Sequence, residues 1–256
     1  MMQKLYKLVN HEVKGILKYI LVLALAMLVL QNVILLIQLK RAFFSTSERF
    51  EDILAMCGFP LIFVIAFFTV TGICIMSVYS NYTGSKSIYT LLTLPQRREF
   101  IYIAKFISFL TCYLVIWAAQ IISVFIGYFL VYNTYLAGRI KPMTNGLFLA
   151  FIRSGLLRFM VPLGLKSIIV NAVTVMSFIS TFYYGILCER SRKFRGLLAV
   201  AANMGLIIYT LVVHIGVSYG DNIDYPMRYI ITALKAVIMF FIVFHSMKLV
   251  KQGSIA

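Results

Sequence analysis

Five stretches of this chain, residues 19–39, 53–79, 106–138, 167–187 and 197–218, contain no lysine, arginine, aspartate or glutamate, and a sixth, 229–247, is interrupted only by Lys235. A helix needs about 20 apolar residues to cross the roughly 30 Å hydrocarbon core of a bilayer. Only helices and closed barrels satisfy their backbone hydrogen bonds there. Runs of this length and continuity therefore predict an all-α integral membrane protein with six transmembrane helices in one membrane domain over residues 1–256. Composition agrees, with 62% hydrophobic and 12% charged residues and a mean hydropathy of +0.94. No repeat or low-complexity tract divides the chain, and no linker is long enough to separate domains.

The net charge of +16 does not indicate a nucleic-acid partner, because no basic soluble domain exists to carry such a site. Lysine and arginine sit at the ends of the apolar runs instead, and they favour the cytoplasmic side. Lys4, Lys7, Lys14 and Lys18 against Glu12 place residues 1–18 inside, as Arg190, Arg192, Lys193 and Arg195 against Glu189 do for 188–196. The loop 80–99 and the tail from Lys248 are also net basic, whereas 40–52 is balanced and 219–227 carries only Asp221 and Asp224. Six spans with both termini cytoplasmic satisfy all of these assignments.

Residues 139–166 conflict with that parity, since Arg139, Lys141, Arg153, Arg158 and Lys166 have no acidic partner on a side that should be external. Splitting the run 106–138 into two crossings would move this segment inside but expel the basic loop 188–196. The preferred reading keeps a long third span followed by an interfacial segment, LFLAFIRSGLLRFMVP, with Arg153 and Arg158 at the headgroups and its Phe and Leu side chains in lipid. Residues 1–18 also read as an amphipathic interfacial helix, with Leu5, Leu8, Val9, Val13, Ile16 and Leu17 at helical spacing. The run that follows is longer than a signal-peptide core of roughly 7 to 15 residues, so it reads as an uncleaved first span.

Motifs of enzymes and metal sites are missing. Gly84-Ser85-Lys86-Ser87 has the wrong order for a phosphate-binding loop. His11, His214 and His245 fall in separate segments without carboxylates or cysteines at ligand spacing, and Cys57, Cys74, Cys112 and Cys188 are scattered as buried thiols are. Asn81-Tyr82-Thr83 matches a glycosylation sequon on a side where that chemistry does not occur. The apolar runs hold no aspartate or glutamate, which argues against a carrier driven by an intramembrane carboxylate. Lys235 is the one charge inside a run. It lies seven residues past Arg228, roughly 10 Å deeper, where a lysine serves a transport pathway or snorkels to the interface.

The loop between the second and third spans is unusual in a chain this apolar. Within residues 80–99, Lys86, Ile88, Tyr89, Leu91, Leu92 and Leu94 form a short amphipathic element that Pro95 ends, followed by Arg97 and Arg98. A few apolar anchors flanked by charges suit docking into another protein. The stretch YSNYTGSKSIYTLLTLPQRREFIYIAKF resembles the segment joining the second and third spans in permease subunits of bacterial ABC-2 type transporters, whose pattern LL.LP..R..I...K is met by Leu91, Leu92, Leu94, Pro95, Arg98 and Lys105. It departs from many relatives in having Tyr82-Thr83-Gly84-Ser85 where they carry a glutamate.

That resemblance implies a permease of the bacterial inner membrane without enzymatic activity of its own. It implies a cytoplasmic coupling helix that docks on a separate ABC ATPase subunit holding ATP and Mg, and a second permease copy or paralogue alongside. It implies export of a hydrophobic or amphipathic substrate such as a peptide, antibiotic or lipid-like molecule. The alternative is a non-transporting membrane scaffold or sensor partner that recruits a cytoplasmic protein through the same loop. An intramembrane enzyme is disfavoured because no His/Glu or Ser/His cluster falls within the spans.

Overall fold

One helix, α4 (Glu99–Leu136), packs against most of the other long helices. Residues spaced three and four apart along it, from Ile101 to Val131, form one broad buried face, while Leu114, Ile122, Phe125, Phe129 and Leu136 on the opposite face are exposed, as expected of a helix between protein and lipid. A computed structural model describes residues 2–40, 49–83, 99–137, 145–162, 164–192, 196–216 and 225–251. Along α4 lies α1 (Met2–Lys40). Their paired polar residues, Glu12 with Lys105, Gln31 with Gln120 and Asn32 with Ser123, are offset by 93, 89 and 91 positions. A nearly constant offset means that the two helices run parallel.

The burial pattern of α1 explains that pairing. Glu12, Ile16, Ile20, Ala24, Met27, Gln31, Leu35 and Leu39 form one buried stripe at spacings of three and four, while Tyr19, Val22, Leu25, Val29, Leu36 and Ile37 on other faces are exposed. Large apolar side chains exposed in this number mark a lipid-facing surface. The helix crosses the expected boundary between residues 18 and 19 without a break, so the predicted interfacial helix 1–18 is the same element as the first span. Its 39 residues extend about 58 Å at 1.5 Å each. The stripe containing Ile16 packs against α4 because apolar spacing serves a protein neighbour as well as it serves a membrane surface.

The second expected span, 53–79, is corrected to two helices, α2 (Phe50–Met56) and α3 (Phe59–Thr83). Gly58 adopts φ +73°, a left-handed conformation that glycine enters without a Cβ penalty. Its N–H closes on Ala55 O at 3.0 Å while the Cys57 N–H takes Ile53 O at 3.0 Å, the usual way a helix terminus satisfies its last carbonyls. Pro60 then stands at the start of α3, where its missing N–H costs nothing. Helix α3 runs antiparallel to α4, with Thr71 at Tyr113 and Phe59 beside Gly127.

After α4 the chain forms two short helices, α5 (Leu147–Arg153) and α6 (Gly155–Met160), split at Ser154, whose Oγ accepts the Leu157 N–H. Three longer helices follow: α7 (Leu165–Arg190), α8 (Gly196–Gly216) and α9 (Tyr225–Lys251). Helix α7 is antiparallel to α4, stacking Tyr183 on Tyr102 at 4.9 Å and Phe178 near Tyr113. It is antiparallel to α8, with Gly185 beside Val200. It is parallel to α9, since Thr174 meets Lys235 and Tyr184 meets His245 at the same offset of 61.

Among the described residues, α1, α3, α4, α7 and α9 are long and apolar enough to cross a membrane, and α8 is apolar over the shorter stretch Gly196–Val212. The described residues are all-helical, and five such helices give the chain the character of a multi-pass membrane protein. These directions bring the start of α1, the end of α3, the start of α4, and the ends of α7 and α9 to one end of the bundle. Lys7, Lys14, Arg190, Arg192, Lys248 and Lys251 gather there, so it is the basic end.

Candidate functional site

The proposed docking segment, with Lys86, Ile88, Tyr89, Leu91, Leu92, Leu94, Pro95, Arg97 and Arg98, lies outside the described residues. Its flanks are described. Near the end of α3, the Tyr79 hydroxyl donates to the Glu189 carboxylate, and Arg190 sits over the Tyr79 ring at 5.2 Å from its centroid. At the start of α4, Glu99 meets Lys251 at 3.6 Å in an exposed ion pair. Both flanks are therefore tied to the ends of α7 and α9 at the basic end.

Nearly two turns further in, Lys105 and Glu12 form an ion pair of 2.9 Å with both side chains almost completely buried. Lys105, the last residue of the LL.LP..R..I...K pattern, clamps the first turns of α4 to α1. Beyond it the α1–α4 seam carries a second polar layer. Gln31 Nε2 donates to Gln120 Oε1 at 2.8 Å and to Phe59 O at 3.2 Å, and Asn32 Nδ2 donates to Ser123 Oγ at 3.0 Å. Interhelical hydrogen bonds of this kind are worth about 0.6 kcal/mol each in a membrane, so the layer sets register more than stability.

The third polar layer lies between α7, α8 and α9. Asn171, Thr174, Ser177 and Thr181 recur on one face of α7 at spacings of three, three and four. Asn203 of α8 donates to Ser177 Oγ at 2.8 Å and to Thr181 Oγ1 at 2.7 Å. Lys235 of α9 is fully buried, and its ammonium donates to Thr174 Oγ1 at 2.7 Å. The side chain thus turns into the bundle rather than snorkelling to a surface. The ion pairs among the described residues are Lys105–Glu12 and Lys251–Glu99, so no described carboxylate pairs with Lys235.

Most apolar side chains of the segment holding Arg153 and Arg158 pack against protein. Arg153 is exposed and Arg158 half-buried, while Ala150, Phe151, Leu156, Leu157, Phe159 and Met160 are buried in protein and only Phe148 and Leu149 stand out. Phe50 N–H donates to Asn145 Oδ1 at 2.8 Å, and Asn145 Nδ2 donates to the Glu51 carboxylate, fixing the segment to α2. The Trp117 indole donates to Met160 O at 3.0 Å, and Asn171 Nδ2 donates to Phe159 O at 2.7 Å. The end of α6 therefore reaches the middle of α4, where two side chains satisfy backbone carbonyls that α6 leaves open. Of the Phe and Leu side chains expected in lipid, Phe151, Leu156, Leu157 and Phe159 are buried in the core, and Phe148 and Leu149 are exposed.

Comparison of the chain with family models, curated proteins and solved structures finds no match.

Among the described residues, no group of three or more His, Cys, Asp or Glu is placed to hold a metal ion. A small cleft between α3, α4 and α7 is lined by Thr71, Cys74, Phe109, Tyr113, Ile179 and Phe182. Two of these residues, Thr71 and Tyr113, share a hydroxyl–hydroxyl bond of 2.7 Å. Among the described residues the arrangement is one of hydrogen bonds between helices, the Tyr184 hydroxyl and His245 Nδ1 at 2.7 Å among them. It supplies polar layers that two or more helices share, which is chemistry suited to ordering helices and to holding a polar group inside a membrane. The sequence reading missed Glu12–Lys105 and the α7–α8 network. The spacing of Asn171, Thr174, Ser177 and Thr181, and the lone Asn203 in an apolar run, were the signals that could have found the latter.

Proposed function

We propose that this chain is the membrane-spanning permease subunit of an ABC-2 type exporter in a bacterial inner membrane. It would cross six times, with both termini cytoplasmic and with energy from a separate ATPase subunit that binds ATP and Mg. The observation that carries the reading is the segment Lys86–Arg98 with its LL.LP..R pattern, set between helices whose flanking ends, at Tyr79 and Glu99, meet the basic end of the bundle. The apolar anchors Leu91 and Leu92 dock in the ATPase, and Arg97 and Arg98 orient the contact. ATP-driven closure of the ATPases biases the permease between inward- and outward-facing states only if the docked contacts differ in free energy between them.

The fold is compatible with force delivered at that point. Helix α4 begins directly after the segment, and the buried Lys105–Glu12 pair couples its first turns to α1, so the two move as a unit. A second permease copy packs beside the first, and cargo passes between or along the helices. Leu91→Asp with Leu92→Asp tests this. In a reconstituted complex the double variant is expected to insert normally and to lose permease-stimulated ATP hydrolysis. Stimulation at the wild-type level would overturn the docking role.

A further inference from the structure

Helix α1 has a second face, opposite the stripe through Glu12, Ile16, Ile20 and Met27 that packs against α4. On it Lys7, His11, Lys14 and Lys18 follow one another at steps of four, three and four residues, and all four are exposed. The same stripe continues, with no break in the helix, as Val22, Leu25, Val29, Val33 and Leu36, which are exposed too. An apolar stripe of this length turned away from the bundle faces lipid, so the lysines stand where that face leaves the hydrocarbon. Lys18 lies four residues before Val22, about 6 Å along the axis, and Lys14 eight residues before it, about 12 Å. The headgroup layer on each side of a bilayer is roughly 5 to 7 Å deep. Lys18 is therefore at headgroup depth, and the stem of Lys14 is long enough to return its ammonium to that layer.

Gly15 opens a notch in this face. A Cβ added there would meet nothing within 4 Å, so no neighbouring helix requires a glycine, although glycine inside a helix is a less stable choice than alanine. One turn away on the helix are His11, Lys18 and Tyr19, and Lys14 adjoins it; all four are exposed, Tyr19 at 64%. The carboxylate of Glu12 lies on the buried stripe and is held by Lys105, so none on α1 competes for these cations. We propose that the exposed face of α1 at Gly15 binds an anionic phospholipid in the leaflet at the basic end. The phosphate sits between Lys14 and Lys18 over the Gly15 backbone, Tyr19 borders the headgroup layer, and an acyl chain runs along Val22, Leu25 and Val29. The site does not depend on the permease reading.

The test places the full chain in nanodiscs of equimolar dioleoylphosphatidylglycerol and dioleoylphosphatidylcholine, extracts it in mild detergent and counts the retained lipids by native mass spectrometry. Wild type is expected to retain phosphatidylglycerol in preference to phosphatidylcholine. Lys14→Gln with Lys18→Gln should lower phosphatidylglycerol retention on the order of tenfold to thirtyfold, the loss of two lysines near an anionic headgroup, and leave phosphatidylcholine unchanged. Gly15→Leu keeps both lysines and should lower phosphatidylglycerol retention several-fold by filling the notch. Lys248→Gln with Lys251→Gln removes the same charge from α9 at the same end and should leave retention near the wild-type level. Melting of each variant in phosphatidylcholine alone verifies that it folds. Excess inorganic phosphate is expected to leave the lipid in place; displacement by it would assign the contact to free phosphate and overturn a lipid site. Equal retention of the two lipids by the wild type overturns the proposal without recourse to any variant. So does undiminished phosphatidylglycerol retention by the folded Lys14, Lys18 variant. An equal loss from the α9 variant also overturns it, since the preference would then follow net charge rather than this face.

Discussion

The buried pair Lys105–Glu12 makes a quantitative prediction. At 2.9 Å, with side-chain exposures of 2% and 8%, two unit charges attract by about 6 kcal/mol at an effective dielectric constant of about 20. Desolvation offsets much of that, so replacing both partners by apolar residues is close to neutral or stabilising, whereas removing one strands the other and costs about 3–5 kcal/mol. Glu12→Leu and Lys105→Met should therefore each destabilise the protein by about 3 kcal/mol or more, and the double variant should recover most of the loss. The assay is a denaturant titration in mixed micelles followed by the emission of Trp117, the single tryptophan, whose indole hydrogen bond to Met160 O reports on the packing of α4 against α6. Independent sites add to within about 0.5 kcal/mol. Additivity of the two single variants within that margin would show that the pair does not clamp α1 to α4 and would refute the reasoning.

Three other outcomes follow from the packing. A Cβ at Gly127 would lie 3.3 Å from Leu35 Cδ2 and 3.6 Å from Phe59 Cζ, so Gly127→Leu should cost about 1–3 kcal/mol by overpacking in the same titration, and a neutral result would mean that α1 and α4 do not approach closely there. Gly58→Val forces a β-branched residue to φ +73° and should destabilise by about 1–2 kcal/mol; an unchanged midpoint would contradict the turn between α2 and α3. Burial pushes the Cys57 thiol, which lies before the α3 span, up to about 11, and its Sγ is 3.0 Å from Gln38 Oε1. At pH 8 it should resist iodoacetamide, and because the folded state holds the proton more tightly, wild type should lose stability relative to Cys57→Ala as pH rises from 9 to 11. Alkylation as fast as that of an exposed cysteine would contradict the burial.

The membrane class was legible because unbroken apolar runs admit few alternatives, and the helical content follows from the bilayer rather than from any one residue. Boundaries were less legible. The run 53–79 is continuous in hydropathy, yet Gly58 and Pro60 mark a stop and a start within it, a turn signal that averaging over apolar residues conceals. The periodicity of residues 1–18 left its partner open, because a stripe that faces α4 has the same spacing as one that faces lipid. Residues 147–162 were partly legible for a related reason: arginines among Phe and Leu fit an interfacial segment, and only the three-dimensional path reveals that Trp117 and Asn171 donate to its backbone carbonyls. Lys235 stood out in sequence as a charge in an apolar run, whereas its partner Thr174, 61 residues away, could not be named without the fold.

The permease reading stands or falls on a partner. The direct measurement is mild-detergent purification of the tagged chain from its native host, with mass spectrometry of what remains bound, comparing wild type with the Leu91→Asp, Leu92→Asp double variant. The account predicts an ATP-binding subunit with the wild type and its loss from the variant. An intact, folded wild-type preparation without any ATPase would contradict it and favour a membrane scaffold that recruits some other cytoplasmic protein through the same segment.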